Sequence, residues 1–178
     1  MQPIDVFICE TLPDRAELDG ILRPYYATVV SRMRAIGFDV PDSAPQSALA
    51  EFWENANDYM PPDGCIALAR DAGGTLVGVG MMKRHDDHTG DLKRIFVTDA
   101  ARGTGTGRRL VQTLVAHARA KGLTRLVADT MRSNVEMRSL FPNQGFIESE
   151  TPIETTTYRD QPVLRPIMHY FYKDLDSA

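Results

Sequence analysis

Between Leu92 and Lys121 the chain passes from a strand pattern to a helical one through a run of alternating glycines, and that junction constrains the fold most. Leu92 to Val97 reads as a strand. The string Arg102-Gly103-Thr104-Gly105-Thr106-Gly107-Arg108-Arg109 follows. A helix is then predicted from about Gly105 to Lys121, with Leu110, Val111, Leu114, Val115 and Ala118 on its apolar side and Gly122 as its terminator. Glycine reaches left-handed backbone angles and lets a ligand approach the main chain closely. The first amides of a helix have no internal acceptor, and the helix dipole adds partial positive charge there. Together these features seat an anion. Cations in a first turn oppose the dipole by roughly 0.3–1 kcal/mol each. Arg108 and Arg109 therefore make sense opposite a diphosphate, with Arg102 as a third positive group.

Two other phosphate-binding loops can be compared with this one. The P-loop string Gly-x-x-x-x-Gly-Lys-Ser/Thr does not occur. A dinucleotide loop, Gly-x-Gly-x-x-Gly, would need a third glycine where Arg108 stands, although Asp129 lies near the distance at which such folds carry a ribose-binding acid. Too little chain follows Asp129 to complete a doubly wound sheet, but a dinucleotide cofactor stays open at this point.

The rest of the chain surrounds this junction with a mixed α/β pattern. Ile4 to Cys9 reads as a short strand. Leu18, Leu22, Tyr25, Val29, Met33 and Ile36 form one helical stripe, with Pro24 expected to kink or break it and Gly37 to cap it. A second helix fits Ser47 to Tyr59. Strands at Cys65–Arg70 and Leu76–Lys83 flank the turn Asp71-Ala72-Gly73-Gly74. Past the polar loop His85 to Gly90 and the glycine junction come a strand from Leu123 to Asp129 and a short helix from about Asn134 to Phe141, stopped by Pro142. Strands starting at Gly145-Phe146 and spanning Ile167–Lys173 complete the pattern. Antiparallel hairpins come first and one strand-helix-strand crossover later. No linker divides the chain, so 1–178 is read as one domain.

Bulk composition narrows the partners. The net charge of −4 argues against a broad nucleic-acid footprint, and no apolar run approaches the roughly 20 residues of a membrane span. Met1 to Phe7 has no basic segment ahead of an apolar run, so no signal peptide is expected and the compartment is read as cytoplasmic. Cys9 and Cys65 fit no metal spacing and read as core thiols in a reducing compartment. His85 and His88 flank Asp86-Asp87, but a loop His-x-x-His without further ligands is weak, and no metal is expected.

Leu92 through Leu110 resembles the acetyl-CoA signature of the GNAT N-acetyltransferase superfamily, Arg/Gln-x-x-Gly-x-Gly/Ala at a helix start, here Arg102, Gly105 and Gly107. Asn134-x-x-Met137-x-x-Leu140-Phe141-x-x-x-Gly145-Phe146 resembles the family's second motif in full register. The segment Tyr158 to Val163 is similar to the tails of bacterial members that act on small molecules. The resemblance implies a mostly antiparallel α/β sheet, splayed at its centre and flanked by about four helices. It assigns 64–173 to an acetyl-CoA-binding core and 13–60 to a variable helical region facing the acceptor. Backbone groups of Ile95, Phe96 and Val97 would pair with the pantetheine arm. Arg102, Gly103, Thr104, Gly105, Thr106, Gly107 and Arg108 would hold the diphosphate, and Asn134 would contact the arm. The implied activity is acetyl transfer from acetyl-CoA, as co-substrate, to the amine of a small molecule. A non-catalytic acyl-CoA-binding module is the alternative.

The proton chemistry departs from the family's pattern. An ammonium has no lone pair, so the acceptor must lose a proton before attack, and the departing thiolate must gain one. Many members donate it from a tyrosine where this chain has Phe141. Tyr158 is the substitute candidate, and Asp91, where the family often has glutamate, is the candidate acceptor of the amine's proton through water. Its structural role would be an ion pair with Lys93 or Arg125. Asp86 and Asp87 are expected to present negative charge to a cationic acceptor. The aromatic strand around Tyr170 to Tyr172 reads either as a homodimer edge or as core.

Overall fold

Period-two alternation sorts the central strands between two helical layers. The computed structural model describes residues 3–175. Met1, Gln2 and residues 176–178, the ends of the 1–178 expectation, lie outside them. In β2 (Gly64–Arg70), Cys65, Ala67 and Ala69 face one core, while Ile66 and Leu68 face another. The first core is closed by α3 (Thr106–Ala120) through Leu110, Val111, Leu114 and Ala118. The second is closed by α1 (Arg15–Ala35) and α2 (Ala44–Glu54) through Leu18, Ile21, Leu22, Leu49 and Phe52. α3 comes close to β3 (Leu76–Arg84) because glycines face it. A Cβ at Gly78 or Gly80 would meet Leu110 or Leu114 at 3.0–3.1 Å. Cys9 and Cys65 are buried free thiols, as read, and burial pushes them up to about 11 and about 12.

The remaining elements are β1 (Asp5–Ile8), β4 (Thr89–Val97), β5 (Arg125–Met131), α4 (Val135–Asn143), β6 (Ile147–Glu148), α5 (Thr156–Asp160) and β7 (Met168–Asp174). Seven strands form one sheet in the order β1-β2-β3-β4-β5-β7-β6, antiparallel except for the β4–β5 pair that the α3 crossover joins. This is the expected mixed, mostly antiparallel architecture. Among the described residues it carries five α-helices rather than about four, the extra one being the single turn α5. No helix among the described residues is long and apolar enough to cross a membrane.

Two local expectations need correction. Helix α1 runs through Pro24 without a break, because only one ladder bond is lost there while Leu18, Ile21, Leu22, Tyr26 and Val30 stay buried on both sides of it. Pro142 sits inside α4, which ends one residue later; its ring occupies the last turn. Of the two readings of the last strand, the core one describes its side chains: β7 pairs with β5 along its length and with β6 at Phe171 and Tyr172. Tyr170 and Phe171 are buried.

Candidate active site

The β4–β5 ladder holds from Thr89↔Arg125 to Leu92↔Ala128 and stops, although β4 continues to Val97 and β5 to Met131. The sheet is thus splayed at its centre, at the carboxyl ends of its two parallel strands. Crevices of that kind are where open α/β sheets bind ligands. β4 stays bonded to β3 through Val79↔Phe96 and Gly78↔Val97. The opposite main-chain edge of Ile95, Phe96 and Val97 has no ladder partner, so an extended ligand can add to it as a strand would.

A bulge prepares this edge. Pairing jumps from Met81↔Lys93 to Val79↔Phe96, which sets Gly80 against both Arg94 and Ile95. Arg94 takes φ +50°, a left-handed angle uncommon for a side-chain-bearing residue. Ile95 and Val97 then turn to the α3 side and Phe96 to the α1–α2 side. Arg94 also reaches the α1–α2 side, where its Nε donates to the Tyr26 hydroxyl at 2.8 Å and its Nη1 donates to the Tyr59 hydroxyl.

The glycine loop ends against this gap. Gly103 and Gly105 have φ +76° and +81°, and Gly105 is the N-cap of α3. No side chain caps that helix and its first turn holds no acid. Among the described residues the amides of Gly103 to Arg108 find no backbone acceptor. They form a ready cradle for phosphate oxygens. Thr104 donates to the Ala101 carbonyl at 2.6 Å and lies 2.7 Å from the Thr106 hydroxyl, so both hydroxyls brace the loop from within. A Cβ at Gly107 would touch Leu140 of α4 at 3.5 Å and Val97 of β4 at 3.6 Å, which shows how closely the three segments converge. The arginines separate in role. Arg108 is exposed, Arg102 pairs with Asp99 at 2.8 Å, and Arg109 instead donates to the Ile4 carbonyl beside β1. Arg109 thus buttresses the loop rather than facing an anion, contrary to its expected role.

Asn134 sits across the gap at the end of β5. Its Oδ1 accepts from Met137 N at 3.3 Å, capping α4, and its Nδ2 donates to the Thr130 hydroxyl at 3.0 Å. One Nδ2 hydrogen remains for a ligand. Phe141 is 2% exposed, with its ring 5.2 Å from both Phe146 and Phe171. It is a core residue.

Polar side chains build the floor of the gap. Asp91, fully buried, accepts through Oδ2 from Thr156 N at 2.8 Å and pairs with Lys93 at 3.0 Å; its Oδ1 has no partner. Lys93 also lies 3.4 Å from Asp129 and donates to Thr157 at 2.9 Å, while Asp129 accepts from the Thr155 hydroxyl. Burial raises the Asp91 pKa, against the lowering pull of Lys93. Burial also opposes the charge on Lys93, but Asp91 and Asp129 outweigh it and hold the ammonium pKa above its usual value. Asp91 is paired as its structural reading foresaw, with Lys93, while Arg125 pairs with Asp174. Its side chain is only 1% exposed, so a role as acceptor of the amine's proton would run through a water held at the unpartnered Oδ1. Asp129, weighed above as a ribose-binding acid, is committed to Lys93 and Thr155.

This network ties α5 to the gap. Tyr158 stands on that helix, half-buried, with its ring 3.9 Å from the Arg165 guanidinium and 6.0 Å edge-on to Tyr170. Asp86 and Asp87 lie at the other end of β4 and do not reach the gap. Asp86 accepts from the amides of His88 and Thr89 at 2.7 Å each, closing its own turn. Arg94, Asp129 and Thr155 to Thr157 have no counterpart in the sequence reading of this floor, which placed only Lys93 there, as partner of Asp91. The available signal was charge at inward positions of strands that are otherwise apolar.

The sequence profile described as the acetyltransferase (GNAT) family matches residues 25–146. The chain belongs to this family. An L-methionine sulfoximine/L-methionine sulfone acetyltransferase of Pseudomonas paraeruginosa is 32% identical over 136 residues, 74% of this chain and 75% of that one. An IAA acetyltransferase of Azospirillum brasilense is 36% identical over 88 residues, 49% of this GNAT chain and 57% of the relative. The chain therefore spans little more than half the length of that curated relative. Among solved structures, the PaiA N-acetyltransferase of Thermoplasma acidophilum in complex with coenzyme A aligns with TM-score 0.71 at 16% identity, over 96% of this chain and 99% of that one. At that identity the likeness speaks for the fold.

Proposed function

We propose that this GNAT protein transfers an acetyl group from acetyl-CoA to the amine of a small molecule, by direct attack on the thioester. The observation that carries this reading is the union of an unpaired β4 edge with an uncapped, glycine-started helix, one fitting the pantetheine arm and the other the diphosphate. Acetyl-CoA supplies the activated acyl group. Ile95, Phe96 and Val97 hold the arm by main-chain bonds, and Asn134 steadies it from the β5 side. Gly103 to Gly107 present amides to the diphosphate, while Arg102 and Arg108 add charge. Helices α1 and α2, within 13–60, shape the acceptor side of the 64–173 core.

The proton steps are divided. Asp91 fixes α5 through its Oδ2 on Thr156 N, and its unpartnered Oδ1 is the candidate acceptor of the amine's proton through water. Tyr158, on that helix, is the candidate donor to the departing thiolate. The relatives named as acting on a methionine derivative and on IAA support a small-molecule acceptor.

A paired assay tests the reading. Saturation at about 100 times Kd should stabilise the fold by about 2.7 kcal/mol. Acetyl-CoA is expected to do so, and NAD and NADP are not. Thiol release should then depend on an added amine. Stabilisation without transfer to any amine would favour the acyl-CoA-binding module, a reading that Phe141 in the core makes worth testing. In Tyr158→Phe, a fall in kcat of about tenfold or more with KM little changed supports the donor role. Unchanged kcat removes it.

A further inference from the structure

Lys93 and Arg94 are adjacent cations at the floor of the gap, yet only one is neutralised by the protein. Lys93 lies against two carboxylates and a hydroxyl. Arg94 makes no ion pair among the described residues; its recorded acceptors are the hydroxyls of Tyr26 and Tyr59. Its guanidinium lies 4.8 Å from the Tyr59 ring centre, 5.3 Å from that of Phe52 and 5.9 Å from that of Tyr26. Those rings come from α1, α2 and the turn Ala56–Tyr59, so three separate segments box one cation.

A guanidinium carries five N–H groups, and two are committed here, which leaves three. Placing such a charge in an aromatic box without a counter-ion is costly unless an anion completes it. The left-handed φ of +50° at Arg94 adds strain, which persists where the surroundings impose it and gathers at functional sites. The bulge aims this side chain to the acceptor side, directly before the main-chain edge assigned to the pantetheine arm.

We infer that Arg94 binds the carboxylate of the acceptor, so that the amine acetylated belongs to an amino acid or a similar amino-carboxylate. This rests on the acetyltransferase reading above. A carboxylate can take two of the free N–H groups in a fork, while the rings exclude water from the pair. Tyr26 and Tyr59 fix the plane of that fork from below. Lys93 cannot take this part, because its donors already face Asp91, Asp129 and Thr157.

Matched acceptors test the assignment. L-leucine, L-methionine, L-phenylalanine and L-tryptophan are each compared with the amine left by removing the carboxyl group, using acetyl-CoA and thiol release. For at least one pair the acid should be favoured by about tenfold to a hundredfold in kcat/KM, the range of a charge-assisted hydrogen bond. Arg94→Gln should bring that ratio close to one, chiefly through the KM of the acid. Arg94→Lys, which keeps charge but not the fork, should restore part of it. Thermal stabilisation by acetyl-CoA reports whether each variant is folded. A variant that fails this check is replaced by Tyr59→Phe, which keeps the cation and loosens its fork, and the same ratio should fall. Amines acetylated as well as their acids in every pair, or equal losses on both members, overturn the inference and leave the acetyltransferase reading intact. No transfer to any acid or amine overturns both.

Discussion

The two sides of the β4–β5 gap are built from different materials. On the α3 side the groups proposed to face a ligand are main-chain amides, aimed by the left-handed angles of Gly103 and Gly105 and left free by a helix without a cap. On the α1 side they are side chains, Lys93 and Arg94 with their phenols, carboxylates and threonines, gathered from five segments. An amide cradle tolerates exchange of most nearby side chains, since its donors belong to the backbone. A side-chain network fails when one member goes. The contrast suits the two ligands proposed: a constant diphosphate against the first, and an acceptor of particular shape against the second.

The harshest way to break this comparison is Lys93→Met. It leaves Asp91 and Asp129 buried without their shared cation, for a loss of about 3–5 kcal/mol in unfolding free energy. Chemical denaturation at pH 7 measures it. The pH dependence has a definite sign. The Lys93 pKa is raised above 10.5 in the fold, so its contribution is complete below 10.5 and is lost as pH climbs through the raised value. The gap between wild type and variant should therefore narrow in that alkaline window. A difference below about 1 kcal/mol at pH 7 would make the network no more than a weak surface-type pair.

Phe141→Tyr comes next, with about 1–3 kcal/mol lost if the new hydroxyl is buried against Phe146 and Phe171 without a partner. Should activity rise instead, the ring has swung to the gap and the family's usual donor has been restored. Gly105→Val follows on the amide side. A β-branched residue at φ +81° costs about 1–2 kcal/mol. Acetyl-CoA affinity, read by calorimetry, should fall by tenfold or more as the first amides lose their aim, with the acid-to-amine ratio unaffected. Loss of that ratio as well would show the two walls to be coupled.

The same difference in materials explains what could be read from the chain. The amide cradle was legible because left-handed angles demand glycine, and glycine at residues 103, 105 and 107 leaves a spaced string. The splay was legible only through the resemblance of that string and of Asn134 to Phe146 to a known family. Lys93, Asp129 and Thr155–Thr157 meet only after β4, β5 and α5 are folded together, and no local spacing records it. Arg94 was hidden further by the bulge, which turns it to the face Lys93 already occupies and defeats a period-two reading. Arg109 misled for the opposite reason. The motif placed it correctly in the sequence, but its reach to the Ile4 carbonyl belongs to tertiary structure.

The smallest effect separates charge from amides within the cradle itself. Arg108 stands in the first turn of α3, is exposed and has no ion-pair partner among the described residues. In the free protein its cation meets the positive end of the helix dipole, so Arg108→Ala should stabilise the fold by about 0.3–1 kcal/mol. With acetyl-CoA present the sign reverses, because the arginine then faces a diphosphate. Affinity for acetyl-CoA should weaken by roughly threefold to tenfold at low salt, and less at higher salt where exposed charges are screened. Thermal unfolding with and without acetyl-CoA, at two salt concentrations, measures both signs in one experiment. If the variant is destabilised in the absence of ligand, Arg108 braces the loop as Arg109 does, and the cradle's affinity must be carried by its amides and Arg102.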